Sequence, residues 1–175
     1  MKETVQLGKY LLIICAVAGV ALAVTNYYTS RKIQKEKAAA RDSSLSEVLP
    51  AATDFRVIDS SDSVFEGFDG RNNSVGYVLS VSTNGYSSQI QALVGIDKKY
   101  AVTGVKILSQ QETPGLGSKI SEKSFLEQFK GKVFDKLLLK KDGGAIDGIT
   151  SATISSRAIT NAIRNRIDEF KTNKK

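Results

Sequence analysis

A chain of 175 residues with 25 Lys and Arg, 18 Asp and Glu, no His and one Cys cannot build a Ser-His-Asp or Cys-His triad. Nor can it build a zinc or iron–sulfur site from its own imidazoles and thiolates, so redox chemistry here requires an organic cofactor. The formal charge of +7 gathers near the start: residues 1–41 hold seven bases and two acids, whereas the rest hold 18 and 16, a near-neutral body that argues against nucleic-acid binding.

Residues 10–30 carry no charged side chain, and 11–24 read LLIICAVAGVALAV. At 1.5 Å per residue, about 20 apolar residues cross a bilayer core of roughly 30 Å, and Tyr10, Tyr27 and Tyr28 stand where interfacial aromatics are favoured. The segment predicts one transmembrane helix over 10–30 behind a short flank, 1–9. A cleaved signal peptide would have a shorter apolar region, and the polar, tyrosine-bearing end favours retention. Ile14 before Cys15 does not suit a lipoprotein anchor; Cys15 reads as a small apolar filler. Bases after the helix (Arg31, Lys32, Lys35, Lys37) outnumber those before it (Lys2, Lys9), which by charge alone puts the body in the cytoplasm.

Residues 31–50 are polar, Ala-rich and charge-laced, and predict a helical stalk ending at Pro50. The body, 51–175, opens with strand signals at 54–58 and 64–68, then a meander over 76–82, 90–96 and 101–108 with turn residues at Asn84-Gly85 and Asp97-Lys98-Lys99. A short helix capped by Ser121 carries Phe125, Leu126 and Phe129, and a sixth strand is expected over 134–139 before Asp142-Gly143-Gly144. Ile159, Ile163, Ile167 and Phe170 share one face of a helix over 155–170. Strands first and helices late give an α+β domain with a largely antiparallel sheet and flanking helices.

Two loops carry the candidate chemistry. In Glu112-Thr113-Pro114-Gly115-Leu116-Gly117, Pro114 fixes its φ and the two glycines permit conformations or close approaches that a β-carbon would block. The loop is either a tight strand-to-helix turn or a surface pressed against a flat ligand. In Asp147-Gly148-Ile149-Thr150-Ser151-Ala152-Thr153, small and hydroxylated residues lead into the last helix. That pattern serves either ordinary capping by Thr153 or Ser155, or a phosphate at the positive helix end.

The pair ETPGLG and DGITSAT, with the helix behind it, resembles the FMN-binding domain of the G subunit of the Rnf electron-transport complex. The C subunit of the sodium-pumping NADH:quinone oxidoreductase is similar. Gly85-Tyr86-Ser87, followed by Ile90 and Gly95, is similar to the family's G-Y-x-G-x-I region. Three departures stand out: Ser151 where the D-x-x-S/T-G-A-T motif has Gly, Ser88 where Gly is common, and Gln110 where many G subunits carry His.

The resemblance implies FMN joined by a phosphoester to the hydroxyl of Thr153, installed by a separate flavin transferase, with Asp147 serving recognition by that enzyme or its catalysis. It also implies a cofactor environment drawn from Tyr86, Glu112, Thr113, Gly115, Leu116, Thr150, Ser151 and Ala152, with no metal. Tyr86 and Leu116 would supply apolar contact; Glu112 would bond backbone N–H groups or hold the loop rather than face a phosphate. A threonine hydroxyl with no His beside it does not flavinylate itself, which agrees with an external enzyme. The implied function is electron relay in an ion-translocating ferredoxin:NAD oxidoreductase, by a single-pass membrane subunit that is not catalytic alone. Its expected partners are the other complex subunits, the transferase and membrane lipid, and its body faces outward, against the local charge count. The rival readings are an FMN carrier of another redox chain, a flavin-free scaffold, and a membrane-surface module using the basic run after the helix.

Overall fold

The computed structural model describes residues 43–59 and 64–174 and, nearer the start, 8, 10–12, 15–23, 25–27 and 29. The chain forms two compact units, Met1–Asp42 and Ser43–Lys175. In the first, Tyr10–Tyr27 is a helix long and apolar enough to cross a membrane. Most of the expected stalk, 31–42, lies outside the described residues.

The second unit is built on a five-stranded meander: β1 (Asp54–Asp59), β2 (Val64–Phe68), β3 (Ser74–Asn84), β4 (Gln89–Asp97) and β5 (Val102–Ser109), each antiparallel to the next. Period-two alternation assigns the faces. Leu79 and Val81 of β3, with Ile90, Ala92, Val94 and Ile96 of β4, pack beneath the C-terminal helix Thr153–Asn173, whose Ile159, Ile163 and Ile167 are buried at spacings of four. That face is completed by Ile120, Phe125 and Phe129 from the short helices after β5.

The other face is covered too. Residues 43–48 are helical, and Leu45, Val48 and Leu49 pack with Phe65, Val78 and Leu93. The paired Gly95 and Gly104 leave a dent where the Val48 carbonyl lies almost against the sheet, and the Thr103 hydroxyl donates to that carbonyl at 2.6 Å. A stalk reaching residue 50 is therefore corrected: its last turn is core, because three large aliphatic side chains find a sheet face to bury.

Two further expectations are corrected. Residues 134–139 form no strand; Phe134–Lys136 is a 3-10 turn, and only Leu139 makes an isolated parallel bridge, to Ile146. Leu137 and Leu139 are both buried, so their alternation imitates a strand, while the Arg164 guanidinium lies 4.0 Å over the Phe134 ring and holds the turn against the helix. Ser121 is not a cap either: it ends a 3-10 helix, Gly117–Ser121, and Glu122 precedes the α-helical turn Lys123–Leu126 without a side-chain capping bond. The last helix is longer than expected at both ends, and no side chain caps its start at Ala152.

Candidate functional site

At one end of the sheet the β3–β4 turn, the 112–117 loop and the start of the C-terminal helix converge on Glu112. The residue is 5% exposed. Its carboxylate accepts hydrogen bonds from the N–H groups of Ser87 and Ser88 (both 3.0 Å) and Tyr86 (3.3 Å), and from the hydroxyls of Ser88 (3.3 Å) and Ser155 (2.6 Å). Burial opposes its ionisation, but the Ser155 hydroxyl and the three amides outweigh that and hold the carboxyl below the usual glutamate range. Two glycines make the arrangement possible. A β-carbon on Gly117 would stand 2.8 Å from Glu112 Cβ and Oε2, and one on Gly85 would press on the carboxylate itself. Gly115 acts differently: its φ of +75° closes the turn, with its N–H donating to Ser118 Oγ at 3.0 Å.

The second loop is fastened at both ends. Gln128 brackets the Asp147 backbone, accepting from its N–H at 2.7 Å and donating to its carbonyl at 3.4 Å. Ser156 accepts from the Ile149 N–H at 3.1 Å and donates to the Ala152 carbonyl at 2.9 Å. Between these braces Ser151 takes φ +67°. The Ser156 N–H bonds the Ala152 carbonyl. The N–H groups of Thr153, Ile154 and Ser155 thus stand at a helix end that carries no side-chain cap.

A cleft of about 320 Å³ opens between the two loops. Of the residues singled out in the sequence, Tyr86, Glu112, Thr113, Leu116, Ser151, Ala152 and Thr153 line it; Gly115 and Thr150 do not. Asp147 stands apart, exposed and paired through its carboxylate with Lys140 Nζ at 2.7 Å. Three lining residues lie outside the cofactor environment that the resemblance implied: Gly117 and Ser155, read as a loop glycine and a possible cap, and Ile154, not singled out at all. Ile154 had a signal, since it lies off the inward stripe of Ile159, Ile163 and Ile167 and so had no core to face. Tyr86, Leu116 and Ile154 are 71%, 43% and 55% exposed, three large apolar side chains around one opening.

Residues 85–168 match the FMN-binding domain family. The G subunit of the ion-translocating oxidoreductase complex of Methanosarcina acetivorans is 32% identical, over 95% of this chain and 94% of its own. The G subunit of the Na(+)-translocating ferredoxin:NAD(+) oxidoreductase complex of Acetobacterium woodii is 33% identical, over 97% and 92%. The chain belongs to the family of G subunits of ion-translocating oxidoreductase complexes. Among solved structures, the C subunit of the Na(+)-translocating NADH-quinone reductase of Parabacteroides distasonis superposes with a TM-score of 0.52 at 25% identity, covering 62% of this chain and 60% of that one.

The residues present fit the cofactor of this family. The cleft lies at the lower end of small-molecule sites, roughly 300–1,000 Å³. Its exposed apolar rim suits a flat aromatic ring system, and the uncapped end of a 21-residue helix suits a phosphate. The described residues contain no cluster of three or more His, Cys, Asp or Glu that would hold a metal ion.

Proposed function

We propose that this chain is the membrane-anchored flavoprotein subunit that relays electrons within an ion-translocating ferredoxin:NAD oxidoreductase, with FMN tethered by a phosphoester to Thr153. The observation that carries the reading is the convergence of Thr153, an uncapped helix end and the 112–117 loop on one cleft. FMN supplies the ability to take and pass electrons singly or in pairs. The protein's own part is to position. Tyr86, Leu116 and Ile154 would shield the ring from water, the N–H groups of the first helical turn would hold the phosphate, and Glu112 ties the three converging segments together.

Attachment needs an activated donor. Thr153 Oγ would carry the tether, and the transferase would supply both the activated flavin donor, whose leaving group departs, and the base that takes the hydroxyl proton. With no His in this chain, that base is external. Asp147, exposed six residues before the acceptor and oriented by Gln128 and Lys140, is the feature the transferase reads.

The helix Tyr10–Tyr27 anchors the chain in lipid as a single-pass subunit, and the body faces outward, where the transferase works. Assembly with multi-span partners overrides the modest excess of positive charge after the helix. Protease access to tags on the body in intact cells checks this orientation, and complete protection would refute it.

The deciding experiment is intact mass after co-expression with a flavin transferase, wild type beside Thr153→Ala, with peptide mapping. An FMN mass on wild type, located to Thr153 and absent from the variant, is expected. An unmodified wild type, unrescued by Ser151→Gly, would leave a flavin-free scaffold.

A further inference from the structure

The lining of this cleft is unusual for one that receives a phosphate. In a chain with a surplus of seven positive charges, no Lys or Arg among the described residues lines it, and its one carboxylate is the buried Glu112. Glu112 is bound to Ser155, in the first turn of the helix, at 2.6 Å, so a full negative charge sits beside the helix end. The positive pole of a helix amounts to roughly half a unit charge. Amides and hydroxyls around Glu112 soften its field, but they are spent on Glu112 and not on an incoming ligand.

Free FMN is a phosphomonoester carrying about −1.5 to −2 near pH 7, by analogy with phosphorylated hydroxyls. Esterified to a threonine it is a diester with a single negative charge. We propose that Glu112 makes the cleft select against untethered FMN, so that the cofactor is held only as the diester on Thr153. This inference rests on the FMN reading above and adds a specificity: the site accepts the flavin ring and rejects the dianionic phosphate. Such a site stays empty of exchangeable FMN until the transferase acts.

The test uses the full chain in detergent, made without a transferase. Binding of free FMN and of riboflavin, which has the same ring and no phosphate, is followed by flavin fluorescence for wild type and Glu112→Gln, at low and physiological salt. Wild type is expected to hold riboflavin more tightly than FMN, with the gap narrowing as salt screens the charge. Glu112→Gln is expected to raise the affinity for FMN relative to that for riboflavin roughly tenfold, whatever the change in ring binding common to both flavins.

Tighter binding of FMN than riboflavin by wild type at low salt would overturn the inference. A variant that gains affinity for both flavins equally would do the same, because it reports a loosened cleft. If Glu112→Gln does not fold, the wild-type salt series decides alone: FMN must gain on riboflavin as salt rises. Intact mass after transferase treatment of the same protein separates the two readings. Thr153 attachment without discrimination between the flavins sinks this inference only; loss of both flavin binding and attachment sinks the FMN reading as well.

Discussion

Ser151 holds φ at +67°, a conformation that costs an L-residue about 1–2 kcal/mol and glycine almost nothing. Replacing it by Gly also frees the unfolded chain, which returns about 0.4–1 kcal/mol of the gain. Ser151→Gly is therefore expected to stabilise the protein by about 0.5–1 kcal/mol, read from the midpoint of urea unfolding, and a lower midpoint would contradict the strain argument. Gly117 is the opposite case, since the β-carbon of Gly117→Ala would stand 2.8 Å from Glu112. The carboxylate has no room to retreat among its five donors, so this variant should lose about 1–3 kcal/mol, seen as a lower Tm. The sequence showed that glycines mattered in ETPGLG but not what each was for. One supplies a turn dihedral and the other makes room for a side chain in its own loop, and the partner of that side chain lies 43 residues away at Ser155.

The strands and the last helix were legible because alternation along β3 and β4 and the stripe of Ile159, Ile163 and Ile167 are read from near neighbours. What depends on distant neighbours was not: the strand imitated by Leu137 and Leu139, the burial of Leu45, Val48 and Leu49 on the sheet, and the clasp of Glu112 on three segments. That clasp has a pH signature. The folded carboxyl lies below the ordinary glutamate value near 4.5, so on acidification the unfolded chain takes up the proton first. Its contribution to stability is complete above that ordinary value and drains away as pH falls through the lower, folded one. Asp142, lowered by the hydrogen bond from Arg157, and Asp69, lowered by the backbone N–H of Asn73, lose stability in the same direction. The difference between wild type and Glu112→Gln isolates the clasp: the variant should be less stable at neutral pH, with a gap that narrows in denaturant titrations as the pH falls below the ordinary glutamate value. A constant gap would show that the charge of Glu112 is not what holds the segments.

The body that carries the cleft begins at Ser43, eight residues before the boundary suggested by Pro50. A soluble fragment 43–175 should fold and unfold in one transition. A fragment 51–175 loses Leu45, Val48 and Leu49, each contributing about 1.5–3 kcal/mol of burial, against a total stability of only about 5–15 kcal/mol for a domain. It should expose apolar surface and aggregate, which circular dichroism and light scattering would reveal; a stable 51–175 would show the entry helix to be ornamental. The same entry determines how the body bears load. From Ser43 the chain grips the sheet through Leu45, the Glu47 ion pair with Lys106 of β5 and the Val48 carbonyl over Gly95 and Gly104, before it reaches the edge strand β1. A tug along the tether is therefore shared among β2, β3 and β4, through Phe65, Val78 and Leu93, and β5, through the Thr103 bond. It does not unzip the sheet from the β1 rim, and the cleft at the β3–β4 turn stands apart from the grip.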